Sequence, residues 1–365
     1  MNRQILLTPG PTPIPPESLQ AESLPIIHHR TAEFVELFNE TQENLKYVFQ
    51  TREKVFTLMS SGTGGMECAV VNLVSPGDKV IVTACGVFGE RWVKILNVFG
   101  ANVVALRTEW GVTVKAAELE KALKDHPDAK AVFTTLTDTS TATACDILGY
   151  GKAVSKTPAI LVVDAISGLA GQEMYMDEWQ VDAVITASQK GLMTAPGLGF
   201  ISVSPKGWAA VQASKSPRFY WDLRAIEKSS HDGETPFTPA VSLIRAVNAS
   251  LKLIRKKGLP QVFQQARDLA KFTREEGGKL GLGLFAKDPC DVLTAFVLPE
   301  GVNGGALIKQ IVKKTGISMA GGQEKLKGRI VRIAHMGYIQ KADIEKGIRA
   351  LSENLAEMRA AAARP

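Results

Sequence analysis

Seven short apolar runs punctuate the first two hundred residues, and helical patterns fill the gaps between them. Strands are predicted over 55–60, 79–84, 102–107, 131–136, 159–165, 183–188 and 200–204. Helices are predicted between them over 66–74, 91–99, 115–124 and 149–155. Most of the strands are apolar at consecutive positions, so both of their faces should be covered. Strand, crossover helix, strand, repeated, is the signature of a mainly parallel α/β sheet flanked by helices. Ahead of it, Phe34, Phe38, Leu45 and Val48, with Thr41 on the same stripe, predict a helix over 32–49.

The rhythm fails over 205–240, where Pro, Ser, Trp and charged residues show no clear period. A stretch of that length is expected to be functional or interfacial. Helices return over 241–257 and 260–280, followed by a strand over 293–298, a helix over 305–315, a strand over 329–334 and a helix over 342–358. Ile344, Ile348, Leu351, Leu355 and Met358 form the buried stripe of that last helix. The expected organisation is a Pro-rich N-terminal segment over 1–20, a large domain over 21–280 and a small C-terminal α+β domain over 281–365.

Length and composition narrow the class. The 365 residues suit two domains, and 45% hydrophobic with 22% charged residues excludes a disordered or collagen-like chain. No apolar run approaches the roughly 18–20 residues of a membrane-spanning helix. The opening MNRQILLTPGPTPIPPE meets prolines too early for a secretory signal, and the closing AAAARP is not an SKL-type address. A cytoplasmic protein is expected, with no membrane partner. The net charge of +6 is dispersed in pairs and triplets such as Arg255-Lys256-Lys257, not in the basic stripe of a nucleic-acid binder. Cys68, Cys85, Cys145 and Cys290 lie far apart in the sequence without metal-ligand spacing, so buried thiols are expected and no metal site or disulfide framework.

In an open parallel sheet, ligands bind at the carboxyl ends of the strands. Polar residues end four of the predicted strands: Ser60 to Gly65, Thr137 to Thr141, Asp164, and Ser188-Gln189-Lys190. The cluster SGTGG opens a helix, where glycines let backbone N–H groups approach a phosphate; glycine turns of this kind also simply turn. It lacks the third Gly of a dinucleotide fingerprint, and Gly149-Tyr150-Gly151-Lys152 lacks the Ser or Thr of a P-loop. Asp164 ends the most apolar strand, either as a cap or as the partner of a cation. Lys190, among small and apolar neighbours, is either a snorkelling surface lysine or a nucleophilic amine of lowered pKa. A phosphate cradle, a strand-end Asp and a strand-end Lys together are what pyridoxal phosphate requires.

The segments LLTPGPT, SGTGGMECAVVNL, VVDAISGLAG, YMDEWQVDAVITASQKGL with APGLGF, TPFTPAVSL and RIAHMG occur in this order from near the N-terminus to near the C-terminus. On these motifs the chain resembles the class V aminotransferases, in particular the alanine–glyoxylate and serine–pyruvate aminotransferase group. The resemblance implies the aspartate-aminotransferase-like fold (fold type I) and pyridoxal 5'-phosphate as cofactor. It implies that Lys190 carries the cofactor covalently and moves the substrate's proton, while Asp164 pairs with the pyridine nitrogen. Thr63, Gly64, Gly65 and Gln189 would hold the phosphate, Thr139 the oxygen side of the ring, and Arg332 the substrate carboxylate through a bidentate pair.

Two positions depart from the group's pattern. Phe88 stands at the ring-stacking position that often carries Trp. Thr235 and Thr238 stand where the neighbouring subunit often supplies Tyr and, three residues later, Thr. Used in that way, they imply an obligate homodimer with shared active sites. His28, His29 and Arg30 resemble the group's entrance loop, while His335, Trp92, Trp110 and Trp179 are expected to serve packing. The implied reaction is ping-pong transamination of a small L-amino acid, alanine or serine, with glyoxylate or pyruvate. Alternatives are a ureidoglycine–glyoxylate or 2-aminoethylphosphonate–pyruvate transaminase and, outside catalysis, a retired binding subunit. Gln189 before the lysine, and Cys290 placed just before a strand in DPCDVLTAF, argue against a cysteine desulfurase.

Overall fold

The computed structural model describes residues 4–362, so residues 363–365 of the closing AAAARP lie outside the described residues. Seven strands form the main sheet: β1 (Val55–Leu58), β2 (Lys79–Ala84), β3 (Asn102–Arg107), β4 (Ala131–Thr135), β5 (Ile160–Asp164), β6 (Ala183–Ala187) and β7 (Gly199–Val203). Their spatial order is β1-β7-β6-β5-β4-β2-β3. Only β7 runs against its neighbours, and the remaining pairs are parallel. Each predicted strand is present within a residue or two of its expected bounds. The consecutive apolar runs have the expected cause, because the strands are buried almost end to end while β3, at the edge, is partly open.

Twelve helices accompany the sheets among the described residues: α1 (Pro16–Glu22), α2 (Ala32–Phe49), α3 (Gly62–Leu73), α4 (Val87–Val98), α5 (Ala116–Asp125), α6 (Ile147–Val154), α7 (Pro205–Ala213), α8 (Leu223–Ser230), α9 (Val241–Lys257), α10 (Leu259–Lys279), α11 (Gly304–Thr315) and α12 (Lys341–Ala362). The stripe Phe34, Phe38, Thr41, Leu45 and Val48 is buried, as its period predicts. Two helices start earlier than expected. The glycines of SGTGG open α3, as expected, and already lie inside its first turn, ahead of the expected start at 66. At α4, the Phe88 and Gly89 N–H groups donate to Asp138 Oδ2 at 3.0 and 3.1 Å, and Val87 N donates to Ser140 Oγ at 2.9 Å. These acceptors come from the loop after β4, fifty residues away, and satisfy the donors that a helix start leaves open.

The segment 205–240 is less irregular than expected. Ser204 caps α7, with proline in its first turn, and Asp222 caps α8. Each helix buries only two residues, Gly207 and Val211 or Leu223 and Ile226, too few to show a period.

The small sheet contains β8 (Gly283–Leu284), β9 (Leu293–Val297), β10 (Ala320–Gly321) and β11 (Ile330–Ala334), in the order β8-β9-β11-β10, antiparallel throughout. Helices α11 and α12 pack together beside it, and Phe296, Leu307, Ile311, Ile333, Ile344, Leu351 and Leu355 share its core. The N-terminal segment is woven into this layer. Ile5–Leu6 pairs in parallel with Ile317–Ser318, and Leu7 is fully buried in the same core. Helix α1 then crosses to α9, where the Ser18 and Ser250 hydroxyls lie 2.5 Å apart. Helix α10 serves both cores, with Phe263 in the large one and Leu269 in the small one.

All four cysteines are free and buried. Despite their separation in sequence, the Cys85 and Cys145 sulfurs are 3.9 Å apart. No helix among the described residues is long and apolar enough to cross a membrane. The fit between α4 and β2 is tight, since a methyl group on Gly89 would lie 2.6 Å from the Ala84 Cα. Gly89→Ala is therefore expected to lower the urea midpoint by the equivalent of about 1–3 kcal/mol. An unchanged midpoint would show that α4 can lift off the strand.

Candidate active site

The strands β1, β4, β5 and β6 all end at one edge of the main sheet, and their last residues or following turns converge there. Asp164, the final residue of β5, is 3% exposed. One of its carboxylate oxygens accepts from Ile166 N at 2.8 Å. Burial pushes its pKa up to about 7; the Ile166 bond opposes that rise, the nearby Asp138 carboxyl adds to it, and the charges of Arg91 and Lys190 oppose it. A carboxyl in this state has too few partners inside the chain for its charge.

Lys190 follows β6 by three residues. Burial lowers its amine to about 8, Asp164 pulls it back up, and the cations Arg332 and Arg91 lower it further. The amine is therefore desolvated rather than snorkelling into water. Its Nζ donates to the Pro9 carbonyl. Beside it, Gln189 Oε1 is buried without a hydrogen-bond partner. An amide can turn either its acceptor or its donor end to a ligand.

The glycine cluster lies against this pair. A methyl group on Gly62 would meet Ile166 at 2.5 Å, one on Gly64 would meet Ser60 at 2.6 Å, and one on Gly65 would meet Ile185 at 2.7 Å. The start of α3 is thereby pressed onto the ends of β5 and β6, with its positive dipole end at the crevice. Gly64 N and Gly65 N donate to the Ser61 carbonyl at 3.0 and 3.3 Å, which leaves the Gly62 and Thr63 N–H groups to face a ligand. Arg91 ties α3 to α4, because its Nη1 donates to Thr63 Oγ1 at 3.0 Å and its guanidinium lies 4.6 Å from the centre of the Phe88 ring. Arg91 thus links Phe88 to Thr63.

Arg332 projects from β11 and is 6% exposed. It donates to the Thr139 carbonyl at 2.7 Å and to the Gly321 carbonyl at 2.9 Å. Burial lowers its pKa to about 10, with Asp138 opposing. The Thr139 hydroxyl shares a 2.5 Å hydrogen bond with Ser167 Oγ, so Arg332, Thr139 and the turn after β5 are linked. Neither carbonyl carries a full charge, and the guanidinium is left with capacity for an anion.

Lys190, Asp164, Arg332 and Thr139 thus gather at one crevice with Gln189, Thr63, Gly64 and Gly65, and Phe88 adjoins them through Arg91. Thr235 and Thr238 do not join them. Thr235 is buried with its hydroxyl on the Phe237 carbonyl at 2.7 Å, and Thr238 is exposed. Arg30 pairs with Glu234, which binds the 28–30 turn to that same loop. His335 is buried between Thr294 and the Asp291 carbonyl, and burial lowers its pKa to about 3, so it stays neutral. Trp92 is fully buried, with its indole N–H on the Thr134 carbonyl. Sequence reasoning missed Arg91 and Asp138. Arg91 follows Phe88 by one helical turn, a readable spacing; Asp138 is one polar residue among several in TLTDTST.

Pyridoxal phosphate is tested by what these residues lack. Asp164 lacks a full counter-charge, Gln189 has an orphaned polar atom, and the first turn of α3 presents donors over glycines whose side-chain space is taken. All three fit a phosphorylated pyridinium.

Comparison with known proteins agrees. The family model for Aminotransferase class-V matches residues 15–349. The soluble hydrogenase 42 kDa subunit of Anabaena cylindrica is 37% identical over 362 residues, 98% of this chain and 94% of that one. The serine–glyoxylate aminotransferase of Hyphomicrobium methylovorum is 35% identical over 351 residues, 93% of this chain and 86% of that one. Among solved structures, the ureidoglycine–glyoxylate aminotransferase from Bacillus subtilis superposes with a TM-score of 0.95 at 27% identity, covering 98% of this chain and 94% of that one. The architecture is that of the fold type I aminotransferases, a family that implies pyridoxal phosphate. With one family spanning most of the sequence and its expected lysine, aspartate and arginine gathered in one crevice, the chain belongs to the class V aminotransferases.

Proposed function

We propose that this protein transfers the amino group of a small L-amino acid, alanine or serine, to glyoxylate or pyruvate. Pyridoxal phosphate is the carrier. The observation that supports this most is the joint placement of a half-dry lysine, a buried carboxyl and a buried arginine with spare donors. When bound, pyridoxal phosphate supplies the electron sink that makes the substrate's Cα proton removable. Asp164 holds a positive charge at the floor of the crevice. Lys190 Nζ takes and returns the proton, its affinity near 8 suiting both directions at neutral pH. Arg332 fixes the carboxylate of each substrate in turn, which contributes orientation. Arg91 is the second arginine nearby, but its guanidinium is engaged by Thr63 and Phe88. That engagement favours substrates with one carboxylate.

The working unit in this reading is a homodimer. Thr235 and Thr238, which share no hydrogen bond with their own Lys190 among the described residues, serve the phosphate site of the second copy. Phe219 is 82% exposed beside the stacked Tyr220–Phe237 pair, an aromatic face that a second copy would cover.

The purified protein is expected to be yellow, to bleach with L-alanine or L-serine, and to regain colour with glyoxylate. Lys190→Ala is expected to stay colourless. Arg332→Ala should keep the colour and raise the KM for the amino acid by about 10²-fold. A yellow protein unmoved by alanine, serine or aspartate would replace the substrate assignment with ureidoglycine or an aminophosphonate. A protein that takes up no pyridoxal phosphate would overturn the reading.

A second prediction concerns pH. Asp164 has its carboxyl raised from 3.8 to about 7 in the folded chain. Between those values the folded state binds a proton that the unfolded state releases, so this group costs progressively more stability as pH rises towards 7 and a constant amount above. In cofactor-free protein, Asp164→Asn should therefore raise the urea midpoint more at pH 8 than at pH 5. With cofactor present the sign should reverse, because the asparagine no longer faces a cation with a charge. A gain independent of pH would show that the carboxyl is not charged in the crevice.

A further inference from the structure

The turn ahead of α1 lies directly against the lysine side chain. Pro9 offers its carbonyl to Lys190 Nζ. Gly10, at φ +116°, has no side chain where one would collide: a methyl group there would lie 2.5 Å from Lys190 Cε, 2.6 Å from Cδ and 2.7 Å from Nζ. Thr12 fastens the turn to the same strand end, its N–H donating to the Gln189 carbonyl at 3.1 Å and its hydroxyl to the Lys190 carbonyl at 2.9 Å. At the other end of the turn, Leu7 donates to the Ser318 carbonyl and accepts from Ala334 N, both at 2.8 Å. Ala334 is two residues beyond Arg332 in β11. Three residues, Leu7 to Pro9, therefore run from the strand of the substrate-binding arginine to the amine.

We propose that Pro9, Gly10 and Thr12 form a positioning device for Lys190, in which the Pro9 carbonyl holds one N–H of the free amine and Gly10 keeps its path open. This rests on the reading of Lys190 as the proton-transferring amine. A primary amine on a four-carbon stem has many orientations, and only a few aim its lone pair at one carbon. Fixing one N–H on a carbonyl removes rotation about the Cε–Nζ bond and so restricts where the lone pair points. The same carbonyl dipole favours the charged form of the amine, while still allowing the neutral form to donate. The charged groups facing Nζ are Asp164 from β5, Arg332 from β11 and Arg91 from α4, and none belongs to the turn. The turn thus acts by geometry and by one dipole.

The test uses full-length Gly10→Ala, Thr12→Val and Thr12→Ser. Steady-state kinetics should show kcat falling about 10²-fold in Gly10→Ala and about tenfold in Thr12→Val. KM should change little, and Thr12→Ser should restore the rate. In protein stripped of cofactor, the reactivity of Lys190 towards trinitrobenzenesulfonate is followed across pH by mass spectrometry. The wild-type midpoint is expected at about 8, and both damaging variants should move it lower, because the dipole that favours the ammonium is lost while the surroundings stay dry. A turn that only packs would instead admit water when damaged and move the midpoint up towards the ordinary 10.5. An upward or absent shift in both variants overturns the proposal, as does an unchanged kcat. If Gly10→Ala does not fold, Thr12→Val and its serine counterpart decide alone. The labelling needs no substrate and no cofactor, so it separates failure of this proposal from failure of the assigned reaction.

Discussion

A carboxyl group at the end of a fully buried strand is the constraint around which the rest of this structure is arranged. Asp164 sits where water is excluded, with one backbone donor and two cations at a distance. Such a charge is costly unless a cation comes to it. The parallel strands and their covering helices create the dry floor; the glycines of α3 let a helix end close over it. The lysine and the arginine then meet in its field. Each of the three carries a pKa displaced by burial; Asp164 and Lys190 each oppose part of the other's displacement, while Arg332 adds to that of the lysine. The crevice is held in a state that an anionic, cationic and aromatic ligand would relieve all at once.

Most of this was legible in the sequence because the signals were local. Consecutive apolar residues mark strands buried on both faces, and the strand ends followed from where those runs stop. Lys190, Asp164 and Arg332 stood out because a charged residue beside an apolar run needs a reason. What stayed hidden depends on contacts between distant segments. The start of α4 is fixed by Asp138 and Ser140, whose side chains come from another strand's loop. No pattern within 87–98 announces that. The helices over 205–230 bury so few residues that amphipathic period had nothing to register. Arg91 reads as a surface helix residue until its partners, Thr63 and Phe88, are seen together.

The site also shows how backbone can serve where side chains cannot. Pro9, Thr139 and Gly321 contribute carbonyls, and the start of α3 contributes N–H groups. Substitution leaves these groups in place, so they hold charged side chains without adding charges of their own. The positions that make this possible are the glycines that allow close approach, Gly10 above Lys190 and Gly64 beside Ser60.

The pairing of Ile5–Leu6 with Ile317–Ser318 has a consequence for the order of synthesis. The two halves of that pair leave the ribosome 312 residues apart, a delay of roughly 15–60 s at ordinary elongation rates. Through that interval the main sheet can assemble and receive Thr12, but Ile5–Leu6 has no strand to join. The turn that carries Pro9, already fastened by Thr12 to the strand end of Lys190, is therefore held at both of its ends only when nearly the whole polypeptide has emerged.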